Sequence, residues 1–377
     1  MDNLDDIIDI LAQLVGFQTL TGEPNLELVD WVQSFLETAG FRVKRIVSPC
    51  GRKAGLLAKL GDGNGGLLYS AHSDVVPVTG QDWSTDPFTL QRHGDRVIGR
   101  GTTDTKGFLA CVLAQAKTLR DTLPVKPFMI ALSWDEEIGC RGIPHMIDQV
   151  VPILGTPDIV IVGEPTEMQL CLGHKGKASY KAICTGEAGH SALAPNFQNA
   201  LHPAAQFILA ITDLQAQLAK NGAKDDAFAI PYSTVHAGIM NGGVALNIVP
   251  HHAEITFEIR HLAFEEPADI LEELISTSPK GIKIQKINVY PGLNADELDP
   301  VWAAVQAKTG VSGPIKVAFG TEAGFFANIG LRTAVIGPGS MARDGHQPNE
   351  GIDLDQLQSC HDFCTQLLKS LHSGLLR

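Results

Sequence analysis

Histidines and carboxylates stand where apolar runs of this chain stop. GLLYSAH ends on His72, with Asp74 two residues on. MIALSWDEE runs into Asp135, Glu136 and Glu137, DIVIVGE ends on Glu164, and TAVIGPGSMARDGH leads to His346. Asp104 joins them from GRGTTDTKG, a glycine-rich turn ahead of a helical stretch. Imidazole with carboxylate and no thiolate is the donor chemistry of catalytic zinc, and manganese and cobalt accept it too. Five such donors exceed the needs of one open site. Two ions sharing one carboxylate, each with its own histidine and one further carboxylate, account for the number.

Local spacing assigns further roles. His72 and Asp74 fall on one face of a strand, where Asp74 can accept the free ring N–H of His72 and fix its tautomer. Adjacent Glu136 and Glu137 must project differently from an extended backbone. One can ligate metal while the other reaches an attacking water as general base.

Elements that would bring these groups together are legible in the periodicity. Helical spacing marks Leu4 to Gly16, Leu26 to Ala39 and Phe108 to Arg120; β runs mark 41–47, 54–59, 66–71, 129–134 and 159–162. That alternation predicts a mostly parallel sheet covered by helices, whose strand ends converge at one edge. A last α/β stretch from Asp299 holds a strand at 333–336 and a closing helix at 354–371. Between these parts the order is β-α-β-β-α-β, and Ile255, Phe257 and Ile259 alternate with Thr256, Glu258 and Arg260 as in a half-exposed antiparallel strand. The fold class expected is α/β with two domains, 1–176 plus 295–377 and an inserted α+β domain at 177–294. Two domains also suit 377 residues at about 150 per domain.

Composition removes competing classes. The formal charge of −13 and the absence of basic clusters exclude a nucleic-acid partner. The acidic opening MDNLDDIIDILAQL lacks the positive region of a secretory signal, and no apolar run reaches about 18 residues, so a cytoplasmic protein without a membrane partner is expected. Seven cysteines without C-x-x-C spacing read as reduced thiols. GDGNGG precedes a strand rather than a helix, GTTDTKG has the wrong order for a phosphate loop, and Ser191 and Ser340 lack the G-x-S-x-G elbow. The remaining histidines, among them His174 and His236, have no partner spacing and read as surface or core residues.

These motifs resemble the M20 metallopeptidase family, the aminoacylase and deacylase group, over essentially the whole chain. AHSDVVPV, GRGTTDTKG, SWDEEIGCRG, IVGEPT and GHQPNE carry the likeness. It implies a zinc-peptidase-like catalytic domain with a ferredoxin-like (βαββαβ) lid that can pack as a homodimer. It further implies two divalent ions, zinc first and cobalt or manganese as alternatives. By resemblance His72, Asp104, Glu137, Glu164 and His346 are the metal ligands, with Asp104 bridging; Asp74 orients His72 and Glu136 is the general base. His190 in GHSA is implied to polarise the scissile carbonyl, while Asn247, Arg260 and Thr321 bind substrate, Arg260 through an α-carboxylate. The implied substrate is a small N-acyl amino acid. Glu164, PYSTVHAGIMNGG, GTEAGFF and GPGSMARDGHQPNE resemble the branch that hydrolyses N2-acetyl-L-ornithine, with desuccinylase, dipeptidase or non-catalytic relatives as alternatives. Gly320, where the pattern carries a bulkier residue, and Arg343-Asp344-Gly345 depart from that branch.

Overall fold

A computed structural model describes residues 3–119 and 124–373. The chain divides into two compact units, one of Met1–Gly173, Ala295–Ile315 and Thr321–Arg377, the other of His174–Asn294 and Lys316–Gly320.

The first unit is built on a mixed sheet. In spatial order the first six of its nine strands are Arg42–Val47, Ala54–Leu60, Phe128–Ser133, Leu67–His72, Ile159–Val162 and Thr333–Val335. The last four of these run parallel to one another, whereas the first two pair antiparallel with each other, Ala54–Leu60 pairs antiparallel with Phe128–Ser133, and Val335 meets Cys171 antiparallel. A mostly parallel sheet therefore holds only for the centre. The short link from Val47 to Ala54 leaves no room for the crossover helix that a parallel neighbour requires. The central strands are buried on both faces, which is why they read as unbroken apolar runs.

Helix Lys106–Thr118 is buried along nearly its whole length, from Lys106 to Ala116. It lies so close to the sheet that a Cβ on Gly163 would stand 1.9 Å from the Phe108 ring, so the residue preceding Glu164 has to be glycine. Helix Leu26–Thr38 buries Leu28, Val29, Val32 and Leu36, the stripe its periodicity gives. The sequence helix at 108–120 begins two residues late, and its end at Arg120 lies outside the described residues. Sequence periodicity missed a small three-stranded sheet, Gly351–Asp353, Arg96–Ile98 and Gln91–His93, because three-residue strands carry no alternation to read.

The second unit is the βαββαβ sandwich. Its sheet order is Thr234–Gly242, His252–His261, Gly176–Thr185, Lys283–Tyr290, antiparallel throughout. Ala253, Ile255, Phe257 and Ile259 face inward, and Phe257 meets Phe207 of helix Leu201–Asn221 at 5.3 Å between ring centroids. Lys316 returns to this unit and pairs with Asp225 at 2.9 Å. A Cβ on Gly320 would lie 2.2 Å from the Tyr290 ring, so the small residue at that position makes room for the tyrosine.

All seven cysteines are free thiols, six of them buried. Among the described residues no helix is long and apolar enough to cross a membrane.

Candidate metal centre

The four parallel strands deliver their side chains at one edge. His72 is the last residue of its strand and lies level with Ser133, so Glu136 and Glu137 follow on the turn just beyond. Ser70 is level with Val162, which brings Glu164, two residues further, into line with His72. Asp104 sits in the turn ahead of helix Lys106–Thr118, and His346 follows the short helix Met341–Asp344.

The Asp104 carboxylate lies between the two imidazoles. Its Oδ1 is 3.2 Å from His72 Nε2 and its Oδ2 is 3.2 Å from His346 Nε2. Each histidine also has a glutamate of its own: Glu164 Oε1 stands 3.8 Å from His72 Nε2, and Glu137 Oε2 stands 3.1 Å from His346 Nε2. A tetrahedral ion with bonds of about 2.0 to 2.2 Å separates its donors by about 3.3 to 3.6 Å. The spacings at His72, 3.2 and 3.8 Å, bracket that edge, and those at His346, 3.2 and 3.1 Å, fall just short of it. Glu137 Oε1 is buried without a hydrogen-bond partner, an open acceptor that a cation would satisfy. The donor set thus fits divalent cations. Glu136 is close as well, since its carboxylate and the ligand atoms of His72 and Glu164 lie within 4.8 Å of one another.

Electrostatics point the same way. Burial, reinforced by repulsion from Asp104 and Glu136, holds the Glu164 carboxyl well above the usual carboxylate range. Burial and Asp104 push Glu137 up to about 7. For Glu136 burial dominates, His72 partly opposes it, and repulsion from Glu137, Glu322 and Asp104 adds to it, so this carboxyl too is raised well above its ordinary value. Hydrogen bonds to Asp104 and Glu137 lift His346 to about 10. Burial disfavours the His72 imidazolium, but Asp104, Asp74 and Glu164 outweigh it, and its pKa is also well above normal. Asp104 moves down, because the two histidines overcome the penalty of its burial. In the ion-free cluster, protons on the imidazoles supply the positive charge these carboxylates require.

Ion uptake must then release protons, because an imidazolium nitrogen cannot ligate. A raised histidine pKa means the proton is bound below that value, so ion affinity falls as pH drops and rises as pH climbs toward about 10, the value for His346. Titrating the metal-free protein with zinc in weak buffer at neutral pH should release at least one proton per ion. Uptake with no proton released would contradict this electrostatic picture.

Asp74 does more than the strand spacing implied. The nearest acceptor to His72 Nδ1 is the backbone oxygen of Asp74 at 2.9 Å, with the Asp74 carboxylate at 3.5 Å. That carboxylate accepts the backbone N–H groups of Glu136 at 3.1 Å and Glu137 at 3.3 Å, and so anchors the turn that presents both glutamates. The Cys140 thiol donates to Glu136 Oε1 at 3.3 Å. Asp135 faces away from the cluster's chemistry: it pairs with Lys53 at 2.5 Å and accepts the Gly22 N–H at 2.9 Å. The unusual Arg343-Asp344 pair closes a ring, in which Arg96 and Arg343 each bridge Asp344 and Asp353 beside the loop that carries His346.

Thr321 is buried and its hydroxyl accepts the Ala323 N–H at 3.0 Å, at the start of helix Ala323–Asn328. The other implied substrate residues lie in the second unit. His190 is exposed, and its Nδ1 accepts the Ala192 N–H at 3.1 Å. In the neutral ring that bond leaves the proton on Nε2. Asn247 adjoins it, its backbone oxygen accepting the Ser191 N–H at 3.1 Å. Arg260 is bonded to Glu258 at 2.9 Å and to the Tyr290 hydroxyl at 3.0 Å, the tyrosine that Gly320 accommodates. Two buried carboxylates escaped the sequence reading. Glu322, raised to about 7 by burial, bears on Glu136, and Glu350 binds backbone; neither ends an apolar run, and only GTEAGFF and GHQPNE drew attention to their neighbourhood.

Fold and cluster together define a metallohydrolase built on an α/β unit with a βαββαβ partner unit. The model of peptidase family M20/M25/M40 matches residues 68–370, and the chain belongs to that family. It is 32% identical over 378 residues to acetylornithine deacetylase of Myxococcus xanthus, covering 95% of this chain and 96% of the relative. It is 30% identical over 382 residues to acetylornithine deacetylase of Proteus mirabilis, covering 97% of each. An M20-family metallo-carboxypeptidase from Sulfolobus solfataricus superposes with a TM-score of 0.81 over 98% of this chain and 99% of that one, at 20% identity.

Proposed function

We propose that this chain is a deacetylase that hydrolyses the amide of N2-acetyl-L-ornithine to ornithine and acetate, using two divalent ions, zinc first, at the cluster around Asp104. The observation that carries the reading is the pair of acetylornithine deacetylases at about 30% identity over nearly the whole chain, together with a donor set divided evenly about Asp104.

His72, Asp104 and Glu164 would hold one ion and His346, Asp104 and Glu137 the other. Bound divalent ions supply Lewis acidity at the acyl carbonyl and bring the pKa of water from about 15.7 to near 7. Glu136 takes the proton of the attacking water and returns it to the leaving amine nitrogen. The Cys140 thiol donates to Glu136 Oε1 and so restrains the rotation of its carboxyl group. Asp74 keeps Glu136 and Glu137 aimed by holding their backbone N–H groups. His190, with a donor N–H on Nε2, Asn247, Arg260 and Thr321 are proposed substrate contacts on the strength of the motifs that carry them.

Steady-state kinetics on acetylornithine, acetylcitrulline, succinyl-diaminopimelate and dipeptides tests the specificity. The highest kcat/KM is expected on acetylornithine, and a preference for the succinylated substrate or for dipeptides would move the chain to another branch. Exposed Ile239, Met240, Val244 and Leu246 in the second unit support a homodimer through that unit. Sedimentation should then give twice the chain mass, and a monomer at micromolar concentration would remove that part of the reading. A cytoplasmic location is part of the same proposal.

A further inference from the structure

The loops that carry Asp104 and His346 are tied together by side chains outside the cluster. Glu350, 1% exposed, turns its whole carboxylate onto the loop ahead of helix Lys106–Thr118. Its Oε1 accepts the backbone N–H of Thr103 at 2.9 Å and of Asp104 at 3.0 Å. Its Oε2 accepts the backbone N–H of Gly101 at 3.0 Å and Nη1 of Arg100 at 2.8 Å. Four donors fill the acceptor sites of one carboxylate.

Arg100, equally buried, carries the connection onward. It donates to the backbone oxygen of Gln347 at 3.3 Å and to the side-chain oxygen of Gln81, and its Cζ lies 5.0 Å from the centroid of the Trp83 ring. Gln81 closes the circuit by donating Nε2 to the backbone oxygen of His346 at 2.7 Å. The small sheet sets the register, with Gly351 opposite Ile98 and the Gly99 N–H donating to the backbone oxygen of Glu350 at 2.9 Å.

We propose that Glu350, acting through Arg100 and Gln81, is a positioning residue that sets the placement of Asp104 against His346 and thereby the affinity for the ion those two side chains hold. The proposal rests on the reading that the cluster binds two ions. Stability alone is a poor reason for this network, because a buried ion pair repays its desolvation only when every group is satisfied. Here the Arg100 Nε is buried without a partner. What the arrangement secures is the backbone on either side of a shared ligand, and outer partners of metal ligands typically govern affinity by about 10- to 100-fold.

The test titrates metal-free wild-type protein, Glu350→Gln and Gln81→Ala with Zn²⁺ by calorimetry and with Co²⁺ by visible absorption, alongside thermal unfolding of each metal-free form. A glutamine at 350 cannot accept on both sides, so in either orientation one pair of donors loses its acceptor, the Thr103 and Asp104 N–H groups or the Gly101 N–H with Arg100 Nη1. Two binding steps are expected for the wild type. In Glu350→Gln one step should weaken about 10- to 100-fold with an altered cobalt spectrum and the other less, since Asp104 serves both ions but only the His346 loop is tied to it through Arg100 and Gln81, and Gln81→Ala should weaken the more affected step to a smaller degree. A lower unfolding temperature with both affinities and the cobalt spectrum unchanged would mean a purely structural role and would overturn the inference. If Glu350→Gln does not fold, unchanged affinities in Gln81→Ala, altered in a surface loop, overturn it instead. A wild-type protein that binds neither ion defeats the metal reading itself, and this inference with it.

Discussion

Glu136→Gln is expected to keep its metal and lose turnover by on the order of 10²- to 10⁴-fold, the usual contribution of a positioned proton-transfer group. The substitution preserves shape and removes the ability to take a proton from water and give it to the leaving amine. None of the closest imidazole contacts in the cluster, 3.2 Å from Asp104 to each histidine and 3.1 Å from Glu137 to His346, involves Glu136, so ion content should be nearly unchanged. Metal analysis and kcat on one preparation check this. Turnover within a few-fold of wild type would remove Glu136 from its role, and loss of an ion along with activity would make it a ligand instead.

Asp104→Ala should have the opposite signature, losing metal and activity together. Both oxygens of this carboxylate face imidazoles, so its removal takes one donor from each half of the cluster. In the metal-free protein the variant loses the Asp104 bonds to His72 and His346 and gains relief of the repulsion on Glu136, Glu137 and Glu164, so each metal-free form is its own baseline for unfolding. Added zinc stabilises a protein that binds it in the native state, so thermal unfolding offers a sharp readout. Wild-type protein should melt higher with zinc than without it, and Asp104→Ala should show little such rise. A variant that keeps two ions, or an undiminished rise with zinc, would deny Asp104 the shared position.

What was legible in the sequence follows from which interactions leave a pattern. His72, Glu164 and the Glu136-Glu137 pair could be read because each ends a strand buried on both faces, and an apolar run broken by a charged group is conspicuous. The inward face of strand His252–His261 was equally plain, since period-two alternation records one-sided burial directly. Which strands of the mostly parallel sheet would run antiparallel was not legible, because an apolar run shows burial and not strand direction. Glu350 closes the GHQPNE motif, yet nothing in the motif pointed to its role. Its partners are backbone N–H groups that every residue possesses, so neither residue type nor spacing betrays them. Asp135 was misleading for the converse reason: it adjoins Glu136 in sequence, yet a φ of 53° turns its backbone and its side chain pairs with Lys53.

The central claim is that hydrolysis of an N-acyl amino acid depends on two ions held about Asp104. Stripping the protein of metal and restoring zinc stepwise, while following acetylornithine hydrolysis and bound metal in the same samples, tests it most directly. The expected result is no turnover without metal, turnover that rises with loading, and saturation at two ions per chain. Turnover that persists in the stripped protein, or no hydrolysis of any N-acyl amino acid at full loading, would contradict it.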